Sequence, residues 1–293
     1  MPATALALVL IAGLIHASWN IAVKKAGGDA RFAFFTSVVI LVAWAPLGLW
    51  LGWQQLPGWG ARQWAFIALT GVLHLLYYLA LMRGYRKADL TVVYPLARGS
   101  GPLLSSLAAV LFLGERLSAL GVLGIAAVVG GVFLVAGGPS LWQAAHDPLQ
   151  AQRVRKGMVY GLITGAFIAS YTVADGYAVK VMLMSPILLD YCGNVVRLGL
   201  LLPVALRDRA ETTALWRAQW KPAVLVGVFS PVSYVLVLYA LQFAPLSHIA
   251  PAREVSMLFA ALIGGRLLGE RDRLMRVAGA VCIGGGVMAL ALG

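Results

Sequence analysis

The feature that most constrains this chain is its partition into apolar runs. Ten of them, each about 19 to 24 residues long, fall near 4–24, 32–53, 63–82, 90–112, 117–136, 157–179, 184–206, 221–242, 246–268 and 274–292. A helix rising 1.5 Å per residue needs about 20 apolar residues to cross a hydrocarbon layer of about 30 Å, so each run is long enough to be a span. Short breaks rich in Gly, Pro and charge separate them. With 61% hydrophobic and only 12% charged residues, the chain excludes an ordinary soluble domain, in which roughly a quarter of residues carry charge. An all-α integral membrane protein is the expected class. The first run has no basic residue before it and Lys24-Lys25 after it, the reverse of a secretory signal, and is therefore read as a retained span.

The net charge of +12 has to be read loop by loop. The loops after segments 1, 3, 5, 7 and 9 hold 17 of the 23 Lys and Arg residues, against three in the even loops, Arg62, Arg116 and Lys180. Basic loops stay in the cytoplasm, so this count predicts cytoplasmic odd loops, both termini outside, and a multi-pass protein of the bacterial cytoplasmic membrane. The excess charge is thereby topology and gives no support for a nucleic-acid partner. Cys192 and Cys282 both lie in apolar runs, which supports neither a disulfide framework nor a metal site, and no cofactor motif is present.

The chain repeats itself. Residues 10-LIAGLIHASWNIA-22 align with 162-LITGAFIASYTVA-174, 113-LGER-116 with 268-LGER-271, and Gly124, Gly130, Gly131 and Val132 with Gly279, Gly285, Gly286 and Val287. In the same register 88-ADLTVVYPLAR-98 faces 244-APLSHIAPAR-253. The expected organisation is two five-helix units, 4–136 and 157–292, joined by a cytoplasmic linker at 137–156. Five is odd, so the second unit enters the membrane from the opposite face, an inverted-topology repeat.

On these residues, 16-HASWN-20, the proline-bearing fourth segment ending in LGER, the glycine-rich fifth segment and the duplication, the chain resembles EamA-type members of the drug/metabolite transporter superfamily. The resemblance implies a ten-helix secondary transporter for small metabolites such as amino acids, with a central cavity lined by segments 1, 3, 4, 6, 8 and 9. Small multidrug exporters of that superfamily carry a glutamate in their first helix. Here segments 1 and 6 offer His16 and, near the end of the latter, Asp175. Proton-coupled export of lipophilic cations is not implied.

Arg98, Arg197 and Arg253 fall inside spans, where a charge exposed to lipid costs several kcal/mol. Pro95, Gly99, Gly101 and Pro102 surround Arg98, and Pro245, Pro251 and Glu254 accompany Arg253. Irregular backbone at membrane depth is tolerated only against protein or a watery cavity, and interrupted helices at matching positions of two repeats mark the binding site of such transporters. A bent or unwound helix is therefore expected around each arginine. Arg98 is expected about 12 Å from the cytoplasmic face and Arg253 about 10 Å from the outer face. A guanidinium suits a carboxylate, phosphate or phosphonate. Two readings stand: one or both arginines bind an anionic or zwitterionic substrate, or Arg98 and Glu254 form a structural salt bridge between the repeats.

Tyr94, His16, Trp19, Asn20, Tyr77, Tyr171 and His248 complete the expected substrate-binding set. His74 is a further candidate for lining the cavity or carrying protons, as imidazole titrates near neutrality. Arg197, Asp190 and Asn194 read as a structural polar cluster of one helix first and a coupling site second, the glycines of segments 5 and 10 as a packing ridge, either a dimer face or an internal one, and Glu115-Arg116 and Glu270-Arg271 as interfacial ion pairs. Trp44, Trp50, Trp53, Trp59 and Trp64 read as an interfacial belt. No catalytic signature appears, and 137–156 is too short for an ATP-binding domain, so an enzyme is not expected. Alternating access of a small polar metabolite is the expected function, with a proton as candidate coupling ion, the lipid bilayer as surroundings, and a monomer or homodimer as assembly. A lipid scramblase with an arginine-lined headgroup cavity is the alternative.

Overall fold

The computed structural model describes residues 1–26, 29–88, 90–135, 151–260 and 273–293, and these are helical throughout apart from short connections. The helices are α1 (Ala3–Ala26), α2 (Ala30–Ala43), α3 (Ala45–Gln55), α4 (Ala61–Lys87), α5 (Leu90–Leu113), α6 (Ala119–Val135), α7 (Ala151–Lys180), α8 (Pro186–Arg207), α9 (Arg209–Phe243), α10 (Leu246–Ala252), α11 (255–260) and α12 (Arg273–Leu292). Among the described residues α4, α5, α7, α8 and α9 are each long and apolar enough to cross a bilayer, and the α2–α3 pair makes a sixth such unit. Their outward faces carry exposed Leu, Val and Phe, as a lipid solvent requires.

Three boundaries differ from the sequence expectation. The run 32–53 is not one helix: α2 ends at Trp44 and α3 leaves at 67°. Pro46, in the first turn of α3, has no N–H to continue the ladder of α2. The stretch read as a loop before residue 221 is helical from Arg209, started by Asp208, whose carboxylate accepts the Glu211 N–H at 2.9 Å. Likewise 151–156 of the expected linker belongs to α7, while 136–150 lies outside the described residues. The second half of segment 9, with Glu270-Arg271, lies outside them too.

Packing follows the duplication. α1 runs against α9 as its repeat counterpart α7 runs against α4, and α2 meets α8 between them. Gly13 of α1 sits on Val255 and Ser256; its counterpart Gly165 sits on Ser100 and Gly101 of α5. α6 and α12 are seamed by glycine: a methyl added at Gly131 would lie 2.7 Å from the Gly279 carbonyl oxygen, and one at Gly286 would lie 2.7 Å from that of Gly124. Small residues permit this approach of backbones. Because 124 meets 286 while 131 meets 279, the two helices run antiparallel. The glycine ridge is thus an internal seam between the fifth helix of each repeat.

Candidate functional site

The arginine-bearing segments of the two repeats, α5 and α10–α11, cross beside each other in the interior. α5 is a continuous helix through Pro95 and Pro102, so of the bending or unwinding expected there the unwinding is absent. The carbonyls that Pro95 and Pro102 deprive of an N–H are those of Thr91 and Arg98, while the nearby serine hydroxyls donate elsewhere on the helix, Ser105 Oγ to the Gly101 carbonyl at 2.7 Å and Ser100 Oγ to that of Leu96. Arg98 therefore projects from a continuous helix. Its Nε lies 2.9 Å from Glu254 Oε2, and its Nη2 donates to Ser256 Oγ at 2.8 Å. The Nε–H is not aligned with the carboxylate oxygen, so this pair is held by charge more than by a directed hydrogen bond. Both partners are almost enclosed, with side chains 12% and 5% exposed.

The counterpart segment breaks where the expectation put a break. Pro251 cannot donate to the Ser247 carbonyl, and the Ser106 hydroxyl of α5 donates to that oxygen instead, at 3.0 Å. After Ala252 the chain tightens: the Glu254 N–H bonds to Pro251 O, Ser256 N–H to Arg253 O and Met257 N–H to Glu254 O, all three-residue steps. Arg253 sits at this turn. Its Nη1 is 3.4 Å from Thr172 Oγ1 of α7, and its guanidinium carbon lies 5.9 Å from the centre of the Tyr234 ring of α9. Among the described residues no carboxylate lies within ion-pairing distance of it. Two arginines at equivalent repeat positions therefore differ: Arg98 has a carboxylate at ion-pairing distance, and Arg253, among the described residues, has none.

Aromatic residues from α1, α4, α7 and α9 surround this crossing. His16 meets Trp19 edge to face at 4.6 Å, and Trp19 Nε1 donates to Ser233 Oγ of α9 at 3.2 Å. Tyr77 packs edge to face on Tyr171 at 5.6 Å, in one cluster with Ala97 next to Arg98. Tyr94 lies on α5 one helical turn before Arg98 and packs on the main core. The structure thus gathers Arg98, Arg253, Glu254, Tyr77 and Tyr171, with His16, Trp19 and Tyr94 on adjoining helices. The Asn20 side chain lies outside the described residues. His248 is elsewhere, on α10 near its start, with Nδ1 3.4 Å from Ser247 Oγ.

That end of α10 is tied down by Glu115. Its carboxylate accepts the Leu246 and Ser247 N–H groups at 2.8 Å each and meets Lys180 Nζ at 3.2 Å, joining the end of α5 to the start of α10 and the end of α7. Burial pushes this carboxyl up, but the two backbone N–H groups and the Lys180 ammonium outweigh it and hold the group below the usual carboxylate range. Glu115 thus pairs with Lys180 of the other repeat. Lys180 also donates to the Ala244 carbonyl at 3.1 Å.

Sequence reasoning missed the second polar centre as a unit. Asp175 of α7, 1% exposed, accepts the Tyr234 hydroxyl on Oδ2, and His74 Nε2 of α4 lies 3.9 Å from the same oxygen. His74 stacks on Tyr171 at 4.1 Å. On α8, Arg197 Nη2 lies 3.5 Å from Asp190 Oδ1, next to this group. Asn194 does not join them, since its Nδ2 donates to the Ser37 carbonyl of α2 at 3.0 Å. Asp175 and His74 are both visible in the sequence, but only helix rotation brings them together. Tyr234 and Thr172 carry no sequence signal beyond being polar in apolar runs.

Two comparisons with known proteins bear on identity. The model of the EamA-like transporter family matches the chain twice, over residues 3–137 and 155–292. A protein of a Sinorhizobium species, described as an uncharacterized transporter in the cobO 3' region, is 35% identical over 98 residues, which cover 33% of this chain and 67% of that protein. A solved structure titled only "Crystal structure of protein" superposes with a TM-score of 0.73 at 15% identity, covering 100% of this chain and 98% of its own, a likeness of fold alone.

Proposed function

The chain belongs to the EamA-like transporter family, within the drug/metabolite transporter superfamily, and from that premise we propose that it moves a small anionic or zwitterionic metabolite by alternating access. In this reading ten spans form two five-span units of opposite orientation in the bacterial cytoplasmic membrane, with both termini outside. The antiparallel glycine seam between α6 and α12 supports the inversion. The units rock about the interior crossing of α5 with α10–α11.

One observation carries the substrate class. Arg253 is an interior cation with no carboxylate partner among the described residues, held by a hydroxyl and an aromatic face. An unpaired charge in a span is costly, and its persistence is accounted for by a ligand that supplies the counter-charge. A carboxylate or phosphonate oxygen pair matches the guanidinium fork. The rings of Tyr77, Tyr171 and Tyr234 would enclose the organic part. Arg98 and Glu254 neutralise each other, so their role is to position the crossing helices. An amino acid, a small carboxylate or an aminophosphonate fits this arrangement. The test is a thermal-shift screen of purified protein with alanine, glutamate and 2-aminoethylphosphonate, followed by uptake of the labelled stabilising compound into proteoliposomes. A ligand that binds only the folded state raises the melting temperature. Failure of every anionic and zwitterionic probe, with stabilisation by neutral or cationic probes, sinks the assignment.

A further inference from the structure

We propose that Asp175 and His74 share one exchangeable proton and form the transporter's coupling-ion site, separate from Arg253 but touching it through Tyr234. This rests on the transport reading above for its purpose, but not for its chemistry.

The argument begins with hydrogen positions. His74 Nδ1 lies 3.2 Å from the Thr70 carbonyl oxygen, which can only accept, and 3.3 Å from the Thr70 hydroxyl, which can do either; in the tautomer that satisfies the carbonyl, Nδ1 carries the hydrogen. In neutral His74 the other nitrogen, Nε2, is then a bare acceptor. It faces Asp175 Oδ2 at 3.9 Å, and an ionised carboxylate is an acceptor as well. Two acceptors facing each other in a dry interior repel, and a single proton on either atom turns that repulsion into attraction across 3.9 Å, drawing the groups toward hydrogen-bond distance. Asp175 Oδ1 is also buried without a hydrogen-bond partner. Burying an ionised carboxylate with one oxygen unpaired, while the other takes the Tyr234 hydroxyl, carries a cost that protonation relieves.

The surroundings favour a proton over a larger cation. The cleft lined by Thr70, His74, Asp175, Asp190, Arg197 and Tyr234 admits no water-sized sphere, so a hydrated ion does not fit. The charged and titratable groups facing the pair are Tyr234 on α9, Tyr171 on α7, and Asp190 with Arg197 on α8. Asp190 and Arg197 pair at 3.5 Å and largely offset each other, and Arg253, on the far side of Tyr234, is a further charge acting on the Asp175–His74 pair. The repeat counterparts of these groups are neither acidic nor basic. In the repeat register of α1 and α7 the counterpart of Asp175 is Val23, and with Gly71 aligned on Gly227 the counterpart of His74 is Ser230. The other half of the same frame is built without an acid or an imidazole there.

The link to the substrate site is Tyr234. Its hydroxyl holds Asp175 and its ring lies against the Arg253 guanidinium. Arg253 is positive, so it opposes a proton on the pair, and an anion bound to Arg253 removes that opposition. By reciprocity a proton on the pair favours the anion, which is the coupling that proton–anion cotransport requires.

Infrared difference spectroscopy of the purified protein in lipid nanodiscs, with no substrate, tests this between about pH 8 and about pH 5, the range in which imidazole and buried carboxylates change charge. Wild type is expected to gain a band of a buried protonated carboxyl or of an imidazolium, the same in sodium and in potassium buffer. Asp175→Asn should lose it, and His74→Gln, which leaves the acid in place, should move the pH at which it appears. Arg253→Gln should bring it in at higher pH. The same spectra in wild type and His74→Gln, a band that follows sodium concentration, or no movement in Arg253→Gln would each overturn the proposal. Because no substrate is added, such a result leaves anion binding at Arg253 untouched, and a failed anion screen leaves this titration standing.

Discussion

The two arginine segments started from one repeat and ended differently. In α5 the prolines flanking Arg98 are absorbed into a continuous helix, with serine hydroxyls bonding to nearby carbonyls. In α10–α11 the helix ends at Ala252, one residue past Pro251, and Arg253 stands at the turn. Glu254 in the broken segment faces Arg98 of the intact one, while Arg253 has, among the described residues, only the Thr172 hydroxyl and the Tyr234 ring against it and no carboxylate at ion-pairing distance. A pseudo-symmetric frame thereby holds an asymmetric site. Duplication supplies two cations, and one local backbone difference sets their surroundings apart; in the proposed function it is Arg253 that receives the ligand.

The largest expected effect breaks the neutral member of the comparison. Glu254→Gln leaves Arg98 buried with no counter-charge and should cost about 3–5 kcal/mol of stability, read as a fall in melting temperature in detergent or nanodisc. Replacing both Arg98 and Glu254 by methionine should recover most of that loss, because a buried pair gives little net stability over an apolar packing of similar volume. If the double replacement is as unstable as Glu254→Gln, the pair does more than cancel charge.

A smaller effect probes the seam on which the two halves meet. Gly131→Ala puts a methyl against a backbone oxygen and should cost about 1–3 kcal/mol, whereas Gly130→Ala, which points into open space, should be neutral or slightly stabilising. Equal melting temperatures for the two variants would mean that the halves are not in contact here. The smallest effect is expected at the rim. Glu115→Gln should cost about 1 kcal/mol near neutral pH, by weakening charged hydrogen bonds to Leu246, Ser247 and Lys180. The folded protein holds this carboxyl below its ordinary value, so its contribution is present above the unfolded value and disappears as pH falls through the lower, folded one. The stability difference between wild type and Glu115→Gln should therefore vanish in acid, as followed by melting temperature against pH.

Much of the frame is legible in the sequence because apolar length and internal repetition are one-dimensional signals. Segments 3 and 7 reappear within a few residues as α4 and α8. What is not legible depends on how local breakers are compensated. Pro46 turns the chain by 67° while Pro95 and Pro102 leave theirs unbroken, and nothing in the residues alone separates the cases. The candidate site divides in the same way. Arg98, Arg253 and Glu254 stand out as charges in apolar runs, and both the substrate reading and the ion-pair reading are visible there. Asp175 and His74 are far apart in sequence, on helices whose relative rotation no periodicity states. Tyr234 joins the two centres from a third helix. His248 looks equivalent to the other histidines as a residue, yet lies with Glu115 near the start of α10.

The central claim is that Arg253, and not Arg98, receives the substrate's negative group. Its most direct test is isothermal titration of the stabilising compound from the thermal-shift screen into wild type, Arg253→Gln and the Arg98→Gln/Glu254→Gln double variant, each shown to be folded. The account predicts that Arg253→Gln weakens binding at least about thirtyfold, corresponding to about 2 kcal/mol or more, while removing the Arg98–Glu254 pair changes it less than about tenfold. Binding that survives Arg253→Gln and disappears with the pair would contradict it.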